Sequence, residues 1–462
     1  MSYKLLPFNF ERIEEKYLIT NLAGSHAFLD DVKCIINSPE SLPSNQLQQL
    51  VSSAFLSTSE DQNTAFLKLH ASALSKKISG ALTRPYLFIV IPTLRCDHEC
   101  NYCQVSRVAS NKSGYDLSND DIPKVISKIL KYGKEPFKIE FQGGEPLLRK
   151  DFIKEFIAQW KSSAANVKAE FVIATSLSLL DTEFITWMKD HPVELSISLD
   201  GSKGNHDFNR TLPNGSSFDA ITSKLKMLEM NNLLDRVGLV STITNETIND
   251  PRDIIEAHLQ LGFENMFVRP LSPFGLAAKS YYKSYSEADF KIYYKELLTL
   301  LLTEKEYLHM KEYNAVLLLE KIFRSDTGRY VDLKTPSGHL MGAMIFNYDG
   351  EIYGSDEARM IDKLYNSKSL SIGNINHSVE LVSNANINLL SESFIHVHPG
   401  CEECAYLPYC GSDLMHHIST QGDAIGDKSI SRFCLYQKSM FETIFTLILN
   451  PEFRSRLLTW IR

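Results

Sequence analysis

PTLRCDHECNYCQ, residues 92–104, is the stretch on which the reading of this chain turns. The apolar run YLFIVI (86–91) before it predicts a buried strand whose C-terminal end opens into a loop carrying Cys96, Cys100 and Cys103. Three soft thiolates that close together suit one iron–sulfur cluster and leave one of its irons without a protein ligand. An iron left open in that way can take a substrate as ligand. Zinc is the competing reading, because His98 sits between the cysteines and three cysteines with one histidine form a common structural set. The loop by itself leaves both open.

The chain has 462 residues, which predicts two or three domains rather than one core. With 44% hydrophobic and 23% charged residues it has the composition of a soluble globular protein. A net charge of -8 argues against a nucleic-acid partner, which requires clustered lysine and arginine. The longest apolar runs, FETIFTLIL (441–449) and LLTLLL (297–302), are too short to span a bilayer and predict buried helix, so no membrane partner is expected. The start of the chain has no signal-peptide core, and a cytoplasmic location is expected. Seven of the eight cysteines fall into two ligand-like groups, which fits a reducing compartment; Cys34 is left over and predicts a small core residue.

Strand patterns recur from residue 86 to about 305: YLFIVI, FKIEF, EFVIAT, VELSISL, RVGLVSTI and NMFVRP. Between them DIPKVISKILKYG, KDFIKEFIAQW and PRDIIEAHLQLG carry helical periodicity, and two of these end in glycine. Six such alternations predict an α/β fold, a parallel partial (β/α)6 TIM-like barrel, with the cysteine loop and other motifs at the C-terminal ends of its strands. SEADFKIYYKELLTLLL (286–302), capped by Ser286, predicts its last long helix, and EYNAVLLLEKIF (312–323) a bridging helix. Before the barrel, YLITN and HAFLD predict a hairpin, and DVKCIINS and SNQLQQLVSSAFL predict helices, the second with Leu47, Leu50, Val51 and Phe55 on one face. The expected division is 1–85, 86–305 and 306–462.

The Cys-x3-Cys-x2-Cys spacing stands with Tyr102 beside the last cysteine. Gly143-Gly144-Glu145-Pro146 follows one strand, and SISLDG (196–201), with His206, Asp207 and Arg210 beyond it, follows another. Together these resemble the radical S-adenosylmethionine (SAM) superfamily. The resemblance implies a SAM-binding 4Fe-4S cluster on Cys96, Cys100 and Cys103, with Tyr102 and Asp200 at the SAM site. It also implies Gly143, Gly144 and Glu145 facing the SAM ammonium group, and Ser198 and Arg210 on its ribose and carboxylate. TSLSLL (175–180) departs from the Asn-Gly often found after the third strand.

Cys401, Cys404, Cys410 and Cys434 follow the pattern Cys-x2-Cys-x5-Cys-x23-Cys. Four thiolates complete a tetrahedral zinc or saturate a 4Fe-4S cluster, and spacing does not separate the two. Beside the upstream loop the tail resembles a SPASM domain, which implies one auxiliary 4Fe-4S cluster. GHLMGAMIFNYDGEIYGSDEAR (338–359) looks like the opening hairpin of such a domain, although Gly342, Ser355 and Leu414 stand where cysteines are expected. Asp356 matches a carboxylate that accepts a proton in related sulfatase-maturing enzymes; from the residues alone it is equally a solvated turn or a partner of Arg359. His396, His398, His416 and His417 predict polar surface or structural roles.

End to end, through PFNF, YLITNLAG, CDHECNYC, GGEP, SLDG, SDEARM and the cysteine tail, the chain is similar to radical SAM/SPASM peptide maturases. It is most like the HxsB family of the His-Xaa-Ser system. That likeness implies reductive cleavage of SAM to a 5'-deoxyadenosyl radical and hydrogen abstraction from a ribosomally made precursor peptide, with crosslinking as the outcome. A second radical SAM maturase and an electron donor such as flavodoxin or ferredoxin are implied partners. The first 85 residues resemble a winged-helix precursor-recognition element, with a cap over the barrel as the alternative. A formylglycine-forming sulfatase-maturing enzyme and a non-catalytic, zinc-stabilised peptide-binding protein are the rival functions.

Overall fold

The computed structural model describes residues 3–81, 84–165, 167–324, 339–340, 342–379 and 383–461. At the N-terminus β1 (Lys4–Leu5) pairs with β5 (Leu56–Ser57), and β2 (Asn9–Ile13), β3 (Lys16–Thr20) and β4 (His26–Leu29) form an antiparallel sheet in that order. β3 and β4 are the predicted hairpin. β2 was not predicted, because NFERI alternates half-buried and exposed residues and carries no clean apolar face.

Helices α1 (Val32–Asn37), α2 (Ser44–Ser52) and α3 (Glu60–Ala81) follow. α1 and α2 close a small core with Ile19, Leu29, Ile35, Leu50 and Phe55. Two expectations are corrected here. α2 stops at Ser52, and Phe55 reaches the core through a turn in which Ala54 is left-handed (φ 57°). Cys34 is half-buried on α1 rather than a core residue. The other face of the sheet packs through Ile13 and Leu18 against the C-terminal helical layer, including Phe441 and Phe445. The same core includes Ile254, Ile255, Met266 and Val268 of the barrel.

The six predicted barrel strands are all present: β6 (Leu87–Thr93), β9 (Phe137–Gly143), β10 (Ala169–Thr175), β11 (Val193–Ser198), β12 (Val237–Thr242) and β13 (Asn265–Arg269). Each pairs in parallel with the next. Between β6 and β9 lie the short pair β7 (Arg95–Cys96) and β8 (Val108–Ala109), then α4 (Ile122–Tyr132). The later crossovers are α5 (Lys150–Ser163), α6 (Thr182–Asp190), the pair α7 (Lys203–Asn209) and α8 (Ser217–Met230), and α9 (Pro251–Gln260).

The two-residue period of β6 shows how the layers form. Phe88 and Val90 join the helix-side core with Ile129, Phe141 and Phe156, whereas Ile89 and Ile91 face inward with Leu94, Ile345 and Met360. α10 (Glu287–Thr303) opens with a capping box between Ser286 and Asp289, at the predicted cap.

Two additions to the sheet were not foreseen. β14 (Lys311–Glu312), just before α11 (Tyr313–Phe323), extends it beyond β13. On the other flank β15 (Ala343–Phe346) pairs in parallel with β6, then runs antiparallel with β16 (Glu351–Tyr353), which pairs with β17 (Ser371–Asn374). The predicted hairpin after residue 338 thus exists as β15–β16 and is built into the barrel sheet; Gly338 and Met341 lie outside the described residues. β14 and β15 stand at opposite ends of the parallel run, so the barrel is open. Helices α12 (Asp356–Tyr365), α13 (Asn384–Ser391), α14 (Leu414–Gln421), α15 (Arg432–Leu449) and α16 (Pro451–Trp460) complete the chain. No helix among the described residues is long and apolar enough to cross a membrane.

Candidate active site at the barrel mouth

A cavity of about 260 Å3 opens where the barrel strands end. Cys96, Cys100, Tyr102, Cys103, Gly143, Gly144, Glu145, Ser198, Arg210 and Asp356 all line it, drawn together from five separate stretches of sequence. Asp200 does not reach the cavity; it is fully buried behind it. No lining residue precedes Ile89, so the first 85 residues contribute nothing to this wall.

The glycine pair is set by crowding under the cysteine loop. Gly144 donates its amide to Thr93 O (2.9 Å) and Glu145 donates its own to Arg95 O (2.8 Å). A Cβ on Gly144 would meet Arg95 O at 2.1 Å, and one on Gly143, whose φ is 132°, would meet Thr93 O at 2.2 Å. Glu145 turns its carboxylate inward. Oε1 accepts from Thr175 Oγ1 (2.6 Å) and the Leu147 amide (2.9 Å), and Oε2 accepts from the Ser176 amide and Ser176 Oγ, both at 2.7 Å. Four donors fill the acceptor positions of a carboxylate. The side chain therefore clamps the end of β10 to the turn after β9. At TSLSLL, Leu177 is left-handed (φ 67°), a conformation glycine adopts readily, so the chain makes this turn without glycine.

Two polar chains tie the cysteine loop to the barrel. In the first, Arg210 Nη1 donates to the Tyr102 hydroxyl (2.8 Å), which donates to Asp200 Oδ2, while Asp200 Oδ1 accepts from the Thr242 amide (2.9 Å). Burial pushes the Asp200 carboxyl above its usual range, against the pull of Arg210. Arg210 Nε is buried and has no partner.

In the second chain Ser217 Oγ lies 2.9 Å from His98 Nε2 and 3.0 Å from His206 Nε2; His98 Nδ1 meets Asp97 Oδ1 at 2.9 Å, and the Asp200 amide donates to His206 Nδ1 (3.2 Å). Both nitrogens of His98 are thus engaged, and Cys96, Asp97 and His98 bring one potential ligand atom each within 4.8 Å of one another. Ser176 stands where the sequence placed it, after the third barrel strand, whereas Ser217, Ser178 and Asp97 escaped the sequence reading, since single residues far apart in the chain carry no spacing signal.

Asp356 opens α12 behind the N-cap Ser355, whose hydroxyl accepts from the Ala358 amide (3.2 Å). Arg359 Nε donates to Asp356 Oδ1 at 2.7 Å from a guanidinium that is 1% exposed. The ion pair with Arg359 and the cavity position are therefore both realised. Ser355 is a helix cap and Gly342 sits at φ 77°, so two of the three positions that depart from the SPASM pattern serve the backbone, while Leu414 is buried in the core.

The tail cysteines come together as well. Cys401, Cys404, Cys410 and Cys434 line one cavity of about 30 Å3 with Lys428, Lys438 and His417. Burial pushes the Cys401 thiol up to about 11 and the Cys410 thiol higher still. His417 Nε2 pairs with Ser431 Oγ (2.8 Å) and His416 Nε2 with the Tyr281 hydroxyl (2.9 Å), the structural roles expected of them. Between mouth and tail lies a cavity of about 120 Å3. It shares Gln104, Arg269, Leu271 and Glu357 with the mouth and Phe433 with the tail site.

Residues 90–258 match the family model described as the radical SAM superfamily. The barrel is similar to that superfamily over this stretch. A cysteine-type anaerobic sulfatase-maturating enzyme of Clostridium perfringens is 21% identical over 368 residues, 77% of this chain and 95% of that protein. Among solved structures, anSMEcpe with bound AdoMet and Cp18Cys peptide superposes with a TM-score of 0.66 at 18% identity, covering 80% of this chain and 99% of that one. SuiB of Streptococcus suis bound to S-adenosylmethionine gives 0.54 at 13% identity over 92% and 98% of the two chains. The two structural matches establish the radical SAM fold.

That superfamily implies a 4Fe-4S cluster and SAM, and the mouth fits both. Burial pushes the Cys96 and Cys100 thiols up, so a cation is what would hold them as thiolates. The unpartnered Arg210 Nε offers a buried donor to an anionic group.

Proposed function

We propose that this protein is a radical SAM maturase that modifies a ribosomally made precursor peptide, with a crosslink as product, as in the His-Xaa-Ser system. One observation carries the reading: three thiols, Arg210 and Asp356 line a single cavity at the barrel mouth, and four further thiols line another. Cys96, Cys100 and Cys103 would hold the SAM-binding cluster, and Cys401, Cys404, Cys410 and Cys434 one auxiliary 4Fe-4S cluster.

When bound, the barrel cluster supplies the electron that splits SAM into a hydrogen-abstracting radical, and the tail cluster an acceptor for the electron the peptide then loses.

The chain's own residues bind, orient and move a proton. Gly143 and Gly144 hold the cysteine loop at the strand ends, and Ser198 and Arg210 offer a hydroxyl and a guanidinium to the SAM ribose and carboxylate. Tyr102 and Asp200 fix Arg210 in place. Arg359 holds one oxygen of Asp356, and the other takes the proton released as the new bond forms. The division into 1–85, 86–305 and 306–462 belongs to the same proposal, with the first part receiving a leader segment along a strand edge. So do a second radical SAM maturase, an electron donor such as flavodoxin or ferredoxin, and a cytoplasmic setting that keeps the thiols reduced.

Anaerobically reconstituted protein, reductant, SAM and a candidate peptide test the reading. The expected result is 5'-deoxyadenosine together with a peptide lighter by two hydrogens. Asp356→Asn should still release the nucleoside while product falls roughly a hundred-fold; unchanged product would remove Asp356 from the mechanism. A second reading, formylglycine formation, is favoured by the alignment along 95% of the sulfatase-maturating enzyme. Serine oxidised to formylglycine also loses two hydrogens, so labelling with an aldehyde-reactive hydrazide separates the two: formylglycine is labelled and a crosslink is not.

A further inference from the structure

We propose that the N-terminal sheet braces the ligand loop of the tail thiol site from outside the cavity and that Asn9 is the residue that positions that loop. The inference rests on the reading of that site as a metal site. Residues 401–410 supply three of the four thiols from turns, where backbone carbonyls have no sheet or helix ladder to satisfy them. Asn9 Nδ2 gives its two hydrogens to Glu402 O (2.9 Å) and to Cys404 O (3.0 Å), the second of which also accepts from the Leu407 amide (3.0 Å).

A neighbouring residue on the same sheet does likewise. Thr20 Oγ1 donates to Ala405 O at 2.6 Å, and in return the Tyr409 hydroxyl donates to Gly24 O at 2.9 Å. Glu11 reaches to 3.9 Å from Lys438, which itself lines the thiol cavity. Within the loop, the Cys404 amide to Cys401 O and the Cys410 amide to Tyr406 O, both 3.0 Å, fold the segment locally. They do not set where the folded segment sits against Cys434 on α15. Tyr406 and Tyr409 pack on Phe441 and Phe445 of α15, and the donors from β2 and β3, nearly 400 residues away in sequence, add the polar contacts that fix the loop's carbonyls. A ligand that shifts the N-terminal sheet therefore shifts the thiol loop.

The test uses the full chain with Cys96, Cys100 and Cys103 replaced by alanine and loaded anaerobically with iron and sulfide, so that tail metal alone is counted. Asn9→Leu keeps the volume and removes both donors; Asn9→Ser keeps one. Metal release to a strong chelator should quicken roughly ten-fold in Asn9→Leu and by less in Asn9→Ser. Amide exchange should quicken in residues 401–410 and stay unchanged in β9. Release at the parent's rate in both variants overturns the inference, as does faster exchange throughout the barrel, which would mean general loosening. A parent that holds no metal overturns the metal-site reading itself, and this inference with it.

Discussion

Glu145→Gln is a near-isosteric change whose cost follows from the donors around the carboxylate. Both oxygens are acceptors, and each serves one backbone amide and one hydroxyl: Leu147 and Thr175 on one side, the Ser176 amide and hydroxyl on the other. Whichever side receives the glutamine NH2, a hydroxyl can rotate away from it. A backbone N–H cannot. One buried amide is left without an acceptor, at about 1–3 kcal/mol, and the remaining bonds lose their charge assistance, at about 1 kcal/mol more. The sum is about 2–4 kcal/mol, and it falls on the contact between β10 and the turn after β9, whether or not SAM is present.

Amide exchange read by mass spectrometry is the direct assay. Protection at Leu147 or Ser176 should drop by about one and a half to three orders of magnitude in the SAM-free protein, since each factor of ten is about 1.4 kcal/mol. Unchanged protection, with only SAM affinity reduced, would refute the clamp and assign the carboxylate to the ligand instead.

Gly144→Ala places a methyl group 2.1 Å from Arg95 O and must displace the backbone beside Cys96. Iron retained at the barrel site, counted in a variant lacking the tail cysteines, should fall at least several-fold. Burial lowers the pKa of His258, whose Nδ1 is 2.8 Å from Ile254 O, from 6.5 to about 4. Below pH 6.5 the unfolded chain binds a proton that the folded one refuses. Its contribution to stability is therefore complete above pH 6.5 and lost as pH falls toward 4, by about 2 kcal/mol between pH 6.5 and 5. Denaturant midpoints across that range should decline less steeply in His258→Gln than in the parent; identical slopes would refute the assignment.

Periodicity made the barrel legible. The six strands from YLFIVI to NMFVRP stand where the sequence patterns put them: β6 is apolar nearly throughout, and β9 and β11 bury an apolar residue at every second position. β2 and β14 escaped for the opposite reason: both are strands whose pairing comes from neighbours rather than from their own pattern. The two cysteine groups could be read from spacing alone, since ligands close in sequence need only a turn to converge.

Chemistry-bearing types at short spacing, and runs with a strong period, were settled by the amino-acid sequence itself. Convergence at long range was settled only by tertiary structure: Asp356 beside Arg210 at the mouth, Ser217 between two histidines, and Asn9 against the carbonyls of residues 402 and 404. A side chain whose partner lies hundreds of residues away leaves no trace in local pattern, because packing of the whole chain creates that contact.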